Sequence, residues 1–374
     1  MNDELKEKLK LKVAISQILD EEKKAMNKRK FVMSKGLGIT ACLIVVTTGV
    51  ALANSKNIEG FVKQHFKGSS DGVQIAAKND YIETVEPVYI ESDGITISVD
   101  SFLIDDDNFD MDFRIKLSDK YNIKNMMMGM EIYDLEIIDE NGKVVFATDN
   151  AQAEKVRNLY GSEFEEKAKN SEIYTGGFGA HSEIIGDNEL MYYLSASENN
   201  VPFPKSKKLY VSFSKIHVRK DYNEQPLNEW YTGDWKFELD VPEKMYNREI
   251  TVYKPISCSD EKTTVESATL SNTSFRIAIS KSTTDKVDYE LLKTSTPKNI
   301  TDKIAFHDEY VETSDGKRFE ISMDGNSGYS VPEGKNQVDN YTQSFNLTSF
   351  DATDKLTVHL FTNTGEEIII EYEK

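Results

Sequence analysis

Only two cysteines occur in this chain of 374 residues, Cys42 and Cys258, so no disulfide framework can hold it together and its stability must come from packed cores. Histidine is also scarce. His65, His181, His217, His307 and His359 are scattered, with no pair at i, i+4 and no neighbouring cysteine, so local spacing builds neither a zinc site nor a Cys-His dyad. The phosphate-binding loop and the Gly-x-Ser-x-Gly nucleophile turn are missing. These absences argue against an enzyme and leave no cofactor to expect. Basic charge is in deficit too, at 45 Lys and Arg against 64 Asp and Glu, and the net charge of −19 repels phosphate backbones. Nucleic acid is therefore excluded as a partner.

Long apolar runs are absent with one exception. Gly36 to Asn54, GLGITACLIVVTTGVALAN, holds nineteen residues without a charge and follows Lys28, Arg29, Lys30 and Lys35. At about 1.5 Å per residue a helix of that length covers roughly 28 Å, the hydrocarbon thickness of a bilayer. Residues 1–35 carry ten of the Lys and Arg but six of the Asp and Glu, leaving 35 basic against 58 acidic residues beyond. Basic residues beside a span stay in the cytoplasm, so the N-terminus is expected inside and the C-terminus outside the cell membrane. Two processing signals compete with a retained anchor. Ala51-Leu52-Ala53 has the small-x-small form of a signal-peptidase site, whereas Ile39-Thr40-Ala41-Cys42 is a poor lipobox because the apolar residues follow the cysteine.

Past about Asn79 the pattern is that of strands. Ile95 to Leu103, Asp110 to Leu117, Tyr210 to Phe213, Trp235 to Val241 and Glu249 to Tyr253 alternate with period two, as expected of sheets with one wet face. Asn141-Gly142, Asp315-Gly316 and Thr364-Gly365 are turn dipeptides. Residues 94–117 resemble 263–280, each a strand, a polar turn and a strand containing Phe-Arg-Ile, at Phe113-Arg114-Ile115 and Phe275-Arg276-Ile277. The expected fold is mainly β. Two tandem antiparallel Ig-like β-sandwich domains, 80–254 and 255–374, stand outside one transmembrane helix at 36–54, with a short cytoplasmic helix within 1–35. Residues 55–79 form a juxtamembrane linker, and 151–170 a helical insertion. Within the linker Ile58, Phe61, Val62 and Phe66 have helical spacing, which suits either the membrane interface or packing beneath the first sandwich.

Two polar clusters and one methionine run stand out as candidate sites. Asp105-Asp106-Asp107-Asn108-Phe109-Asp110-Met111-Asp112 and Asp324-Gly325-Asn326 offer hard oxygen ligands for calcium without the spacing of a calcium loop, so the first is expected to be a solvated hairpin tip. Met126-Met127-Met128-Gly129-Met130 reads as core filler or an adaptable contact. The positive signal lies at the N-terminus. Leu11, Ala14, Ile15, Ile18 and Leu19 follow one helical face, and 35 residues cannot bury that stripe among themselves. It must dock on a protein groove or on the membrane, and Asp20-Glu21-Glu22 favours the protein.

This layout, with Asn57-Ile-Glu-Gly-Phe after the span, Gly94-Ile-Thr-Ile-Ser-Val-Asp, and Gly233-Asp-Trp-Lys-Phe-Glu-Leu-Asp-Val, resembles single-pass surface proteins of Gram-positive bacteria that carry a domain of unknown function. Some of these are described as anti-sigma factors of extracytoplasmic-function sigma factors. The resemblance implies a sensing ectodomain and a cytoplasmic sigma factor held by the Leu11 to Leu19 stripe. It departs from the best-known anti-sigma domains in lacking their zinc-binding His and Cys within 1–35. The other expectation is a membrane-tethered or secreted surface protein whose sandwiches bind an extracellular ligand, cell-wall polymer or another protein.

Overall fold

The computed structural model describes residues 60, 62, 65–66, 69–86, 88–118, 130–148, 178–198, 202–219, 228–283, 304–322, 327–333, 336–362 and 365–374. The apolar run 36–54, the stripe at Leu11 to Leu19, the insertion at 151–170, Met126 to Gly129 and Asp324 to Asn326 lie outside the described residues. Among the described residues no helix is long and apolar enough to cross a membrane.

The fold is mainly β. In chain order it runs α1 (Asp71–Lys78), β1 (Glu83–Thr84), β2 (Ile90–Ser92), β3 (Ile95–Ile104), β4 (Asn108–Leu117), β5 (Met130–Tyr133), β6 (Glu136–Asp139), β7 (Val144–Ala147), β8 (Phe178–Gly186), β9 (Glu189–Ser197), β10 (Lys208–Arg219) and β11 (Asn228–Asp240). Then follow α2 (Glu243–Tyr246), β12 (Thr251–Val252), β13 (Lys254–Cys258), β14 (Thr263–Leu270), β15 (Phe275–Thr283), β16 (Ile304–Thr313), β17 (Arg318–Glu320), β18 (Ser327–Glu333), β19 (Asn336–Phe345), β20 (Lys355–Thr362) and β21 (Glu367–Glu373). The strands form four antiparallel sheets. Their orders are β1-β3-β4-β9-β8 with β2 also on β3, β11-β10-β6-β7 with β5 also on β10, β12-β14-β15-β19-β18, and β13-β21-β20-β16-β17.

Two buried clusters divide these sheets between them. The first spans Val62 to Met245 and draws on the first two sheets; the second spans Tyr253 to Tyr372 and draws on the last two. In the first, Phe113 meets Phe213 edge-on at 5.8 Å, and Phe213 stacks on Trp235 at 5.3 Å, so one aromatic column joins the two sheets. Each such ring contributes about 1.5 to 3 kcal/mol by leaving water. In the second, Phe275 meets Tyr253, Phe345 and Tyr372.

Turn chemistry follows the sequence at Gly142, Gly316 and Gly365, whose φ values of 79°, 83° and 82° belong to the left-handed region. Asp93-Gly94, between β2 and β3, has φ of 51° and 76° and is a further tight turn that the sequence reading passed over. Within 55–79 the choice left open for Val62 and Phe66 falls on packing, since both are fully buried in the first core. α1 begins at Ser70, whose hydroxyl accepts from Val73 N, and carries Asp71 in its first turn and Lys78 in its last, as the helix dipole favours.

Candidate functional site

The two halves of the chain meet turn against turn. The β3–β4 hairpin closes at Asp105-Asp106-Asp107-Asn108, with Asp105 N donating to Asn108 O at 2.9 Å. The β14–β15 hairpin closes at Ser271-Asn272-Thr273-Ser274, with Ser271 N donating to Ser274 O, also at 2.9 Å. Each turn is capped alike. Asp105 Oδ1 accepts from Asp107 N (2.9 Å) and Asn108 N (2.8 Å), and Ser271 Oγ accepts from Thr273 N (3.3 Å) and Ser274 N (3.1 Å). Short polar side chains at the first turn position bond onward in this way, which is why Asp and Ser stand there.

The turns then bond to each other. Asp105 Oδ2 accepts from Thr273 N at 2.9 Å and from Thr273 Oγ1 at 2.5 Å; Asn108 Nδ2 donates to Thr273 Oγ1 at 2.7 Å, and Ser274 Oγ donates to Asp107 Oδ2 at 2.6 Å. Asp105 is completely buried and Asp106 nearly so. The acidic run is thus a seam and not the solvated tip expected of it. Two carboxylate oxygens with four donors satisfy the burial of Asp105, and so many aspartates can be enclosed because turn amides and hydroxyls, in place of water, complete their shells.

Arg248, in the connector between the halves, locks the seam from below. Its Nε donates to Asp106 Oδ2 at 3.0 Å, and its remaining nitrogens donate to the carbonyls of Asp105, Phe203 and Met245. Burial raises the Asp106 carboxyl above its ordinary value while the Arg248 charge lowers it. Burial, and then the charge of Asp105, push Asp107 up to about 6 against its bonds to Ser274 and Ser271. Arg276 pairs with Glu198, and burial holds the guanidinium below its usual range. Beside the seam a cleft of about 270 Å³ opens between Asp106, Asp107 and Glu198 on one wall and Ser267, Thr269 and Arg276 on the other.

α1 adds a second contact. Gly72 N donates to Asn346 Oδ1 at 3.2 Å, and a Cβ built on Gly72 would lie 2.0 Å from Thr273 O. Gly72→Ala should therefore push α1 off the second half and cost about 2 kcal/mol or more in urea unfolding of the full chain. Gly179→Ala, whose Cβ meets nothing within 4 Å, should stay within about 0.5 kcal/mol and serves as the control.

Elsewhere three of the histidines bond or stack on neighbouring side chains. His65 Nδ1 lies 3.2 Å from Asp112 Oδ2, to which Ser101 Oγ donates at 2.8 Å. Both side chains address the same carboxylate, so Ser101 donates to Asp112 and not to the imidazole, which is the wrong order for activating a nucleophile. Burial raises Asp112 to about 6 in spite of the bond from His65. His217 stacks on Trp230 at 4.5 Å, and His359 bonds Glu367 at 2.7 Å. Among the described residues no three His, Cys, Asp or Glu side chains converge to hold a metal.

Neither Thr273 nor Arg248 was singled out by the sequence reading. The only signal for the former was the repeat, and its alignment on Phe-Arg-Ile was out of register: Phe275 directly follows its turn, as Phe109 does, whereas Phe113 lies further along β4. The five stripe residues, Leu11, Ala14, Ile15, Ile18 and Leu19, lie outside the described residues.

No family model and no curated protein matches this sequence. Among solved structures, the chain is similar to a conserved domain protein from Bacillus anthracis, at 10% identity and a TM-score of 0.39, over 76% of this chain and 88% of that one.

Proposed function

We propose that the chain is a single-pass membrane regulator of the anti-sigma-factor-like kind, with two Ig-like β-sandwiches outside the membrane as its sensing part. The apolar run 36–54 anchors it, and the face of Leu11, Ala14, Ile15, Ile18 and Leu19 holds a cytoplasmic partner, a sigma factor. The observation that carries this reading is the seam at Asp105 and Thr273. Two independently cored halves meet there through hydrogen bonds and ion pairs, and such a junction is exchanged for water at far lower cost than an apolar one. A junction of that type suits a module that changes state when something binds in the adjoining cleft.

Replacing Leu11, Ile15 and Ile18 together with Asp in the full chain tests the reading. Three apolar contacts of about 1.5 kcal/mol each amount to a loss of roughly 1000-fold in affinity. The expected outcome is release of the partner in pull-downs and a changed transcript profile. An unchanged profile and an empty pull-down with the native chain would sink the regulator reading.

The second reading, a surface binding protein, has its own observation. Trp230 is 51% exposed, stacked on His217 at 4.5 Å and edge-on to Tyr133 at 4.8 Å, an aromatic platform of the sort binding surfaces use. If that reading holds, the chain sediments with purified wall polymer and Trp230→Ala abolishes it.

A further inference from the structure

Edge strands expose unpaired N–H and C=O groups, and most edges of this fold are blunted. β1 and β12 have two residues and β17 three; β13 carries Pro255 and β18 Pro332; β11 presents the charged row Asp234, Lys236, Glu238 and Asp240. β8 differs from all of these. It is nine residues long, FGAHSEIIG, with no proline, no lysine and one acid, and among the described residues β9 is its only sheet partner. Its Phe178, Ile184 and Ile185 are 42%, 48% and 36% exposed. The strand is fixed in place, because Phe178 meets Phe146 edge-on at 5.2 Å and Ser182 Oγ accepts from Met130 N at 2.9 Å.

The sequence of β8 is self-complementary when reversed about Ser182. An antiparallel copy puts His181 opposite Glu183 twice, Ala180 opposite Ile184, Gly179 opposite Ile185 and Phe178 opposite Gly186. Every bulky residue then faces a small one, and the basic residue faces the acidic one. Such pairs are the units that stabilise a sheet. The pairing with β9 is regular from Phe178 to Ile184, with a bulge only before Gly186, so the central pairs fall on undistorted backbone. We propose that β8 pairs antiparallel with β8 of a second copy of this chain about a two-fold axis through Ser182, making one continuous sheet across a homodimer.

The test uses the full chain in detergent micelles, with Cys42→Ser and Cys258→Ser removing the native thiols. Ser182→Cys places the two thiols on the axis, and oxidation is expected to cross-link most of the protein. Gly179→Cys alone places them about 20 Å apart at about 3.3 Å per residue, and should not cross-link. Mixing Ala180→Cys with Ile184→Cys chains, a pair that lies wholly on the regular part of β8, should form the bond. Hydrogen exchange of the unsubstituted chain gives a measurement independent of any variant: those amides within 179–185 that point away from β9, alternate residues along the strand, should exchange at least 10-fold more slowly at high protein concentration than after dilution. Cross-linking of Ser182→Cys and Gly179→Cys to the same extent, cross-linking of neither, or exchange at 179–185 that ignores concentration would each overturn the pairing.

Discussion

Replacing Asp105 with Ala should lower the stability of the chain by about 4 kcal/mol and uncouple its two halves. The carboxylate is fully buried and receives Asp107 N, Asn108 N, Thr273 N and Thr273 Oγ1. Removing it leaves Asp107 N, Asn108 N and Thr273 Oγ1 without this acceptor and Thr273 N with only its 3.3 Å bond to Ser271 Oγ, and each buried orphan costs about 1 to 3 kcal/mol. Water entering the gap recovers part of that, which sets the total near the lower end of the sum. Calorimetry is the appropriate measurement, because the cores have separate aromatic clusters: the variant should show two transitions where the native chain shows closer coupling. Asp105→Asn keeps one acceptor oxygen and should lose less than half as much. Equal losses for Ala and Asn would mean that the seam depends on charge and not on the acceptor geometry argued above.

Replacing Glu309 with Gln should stabilise the chain at pH 8 and leave it unchanged at pH 4. Glu309, on β16, is buried; among the described residues its Oε1 accepts a long bond from Phe361 N at 3.4 Å and its Oε2 has no hydrogen-bond partner. Burial pushes the carboxyl from an ordinary 4.5 up to about 8. The sign follows from linkage. Below pH 4.5 the acid is protonated folded and unfolded, and no penalty exists. Between 4.5 and 8 the unfolded chain releases its proton while the folded chain retains it, so stability falls as pH rises, and above 8 the loss is complete. A shift of that size corresponds to a penalty on the order of 4 kcal/mol, which the neutral amide removes. Asp107 and Asp112, both raised to about 6 chiefly by burial, push in the same direction, so the native chain should weaken from pH 5 to 8. Urea midpoints of native and Glu309→Gln chains at pH 4, 6 and 8 give the comparison; parallel curves would refute it.

The strands were readable because they alternate. In β20, Leu356, Val358 and Leu360 are buried while the alternate residues Thr357, His359 and Phe361 are partly exposed, and period two reports that directly. The acidic seam was not readable for the opposite reason. Three consecutive aspartates look solvated in any local window, and the group that encloses them, Thr273, is 168 positions away. Arg248 was hidden likewise, since one arginine in a connector has no periodicity. The stretch 55–79 read as a linker because Val62, Phe66 and Val73 are sparse among polar neighbours, and only the sheets show what they bury against. The buried Glu309 stands where an alternating pattern predicts an apolar residue, and local polarity gives no hint that the chain encloses it.

The contact of Gly72 with Asn346 joins positions 274 residues apart and gives the described chain a mechanical character. Together with the seam it closes a circuit: α1, packed in the first core through Val73, Ala76 and Ala77, touches the far half directly, without passing through the strands between. A pull or twist applied to the second half therefore enters the first core at two separate points, through the seam and through α1.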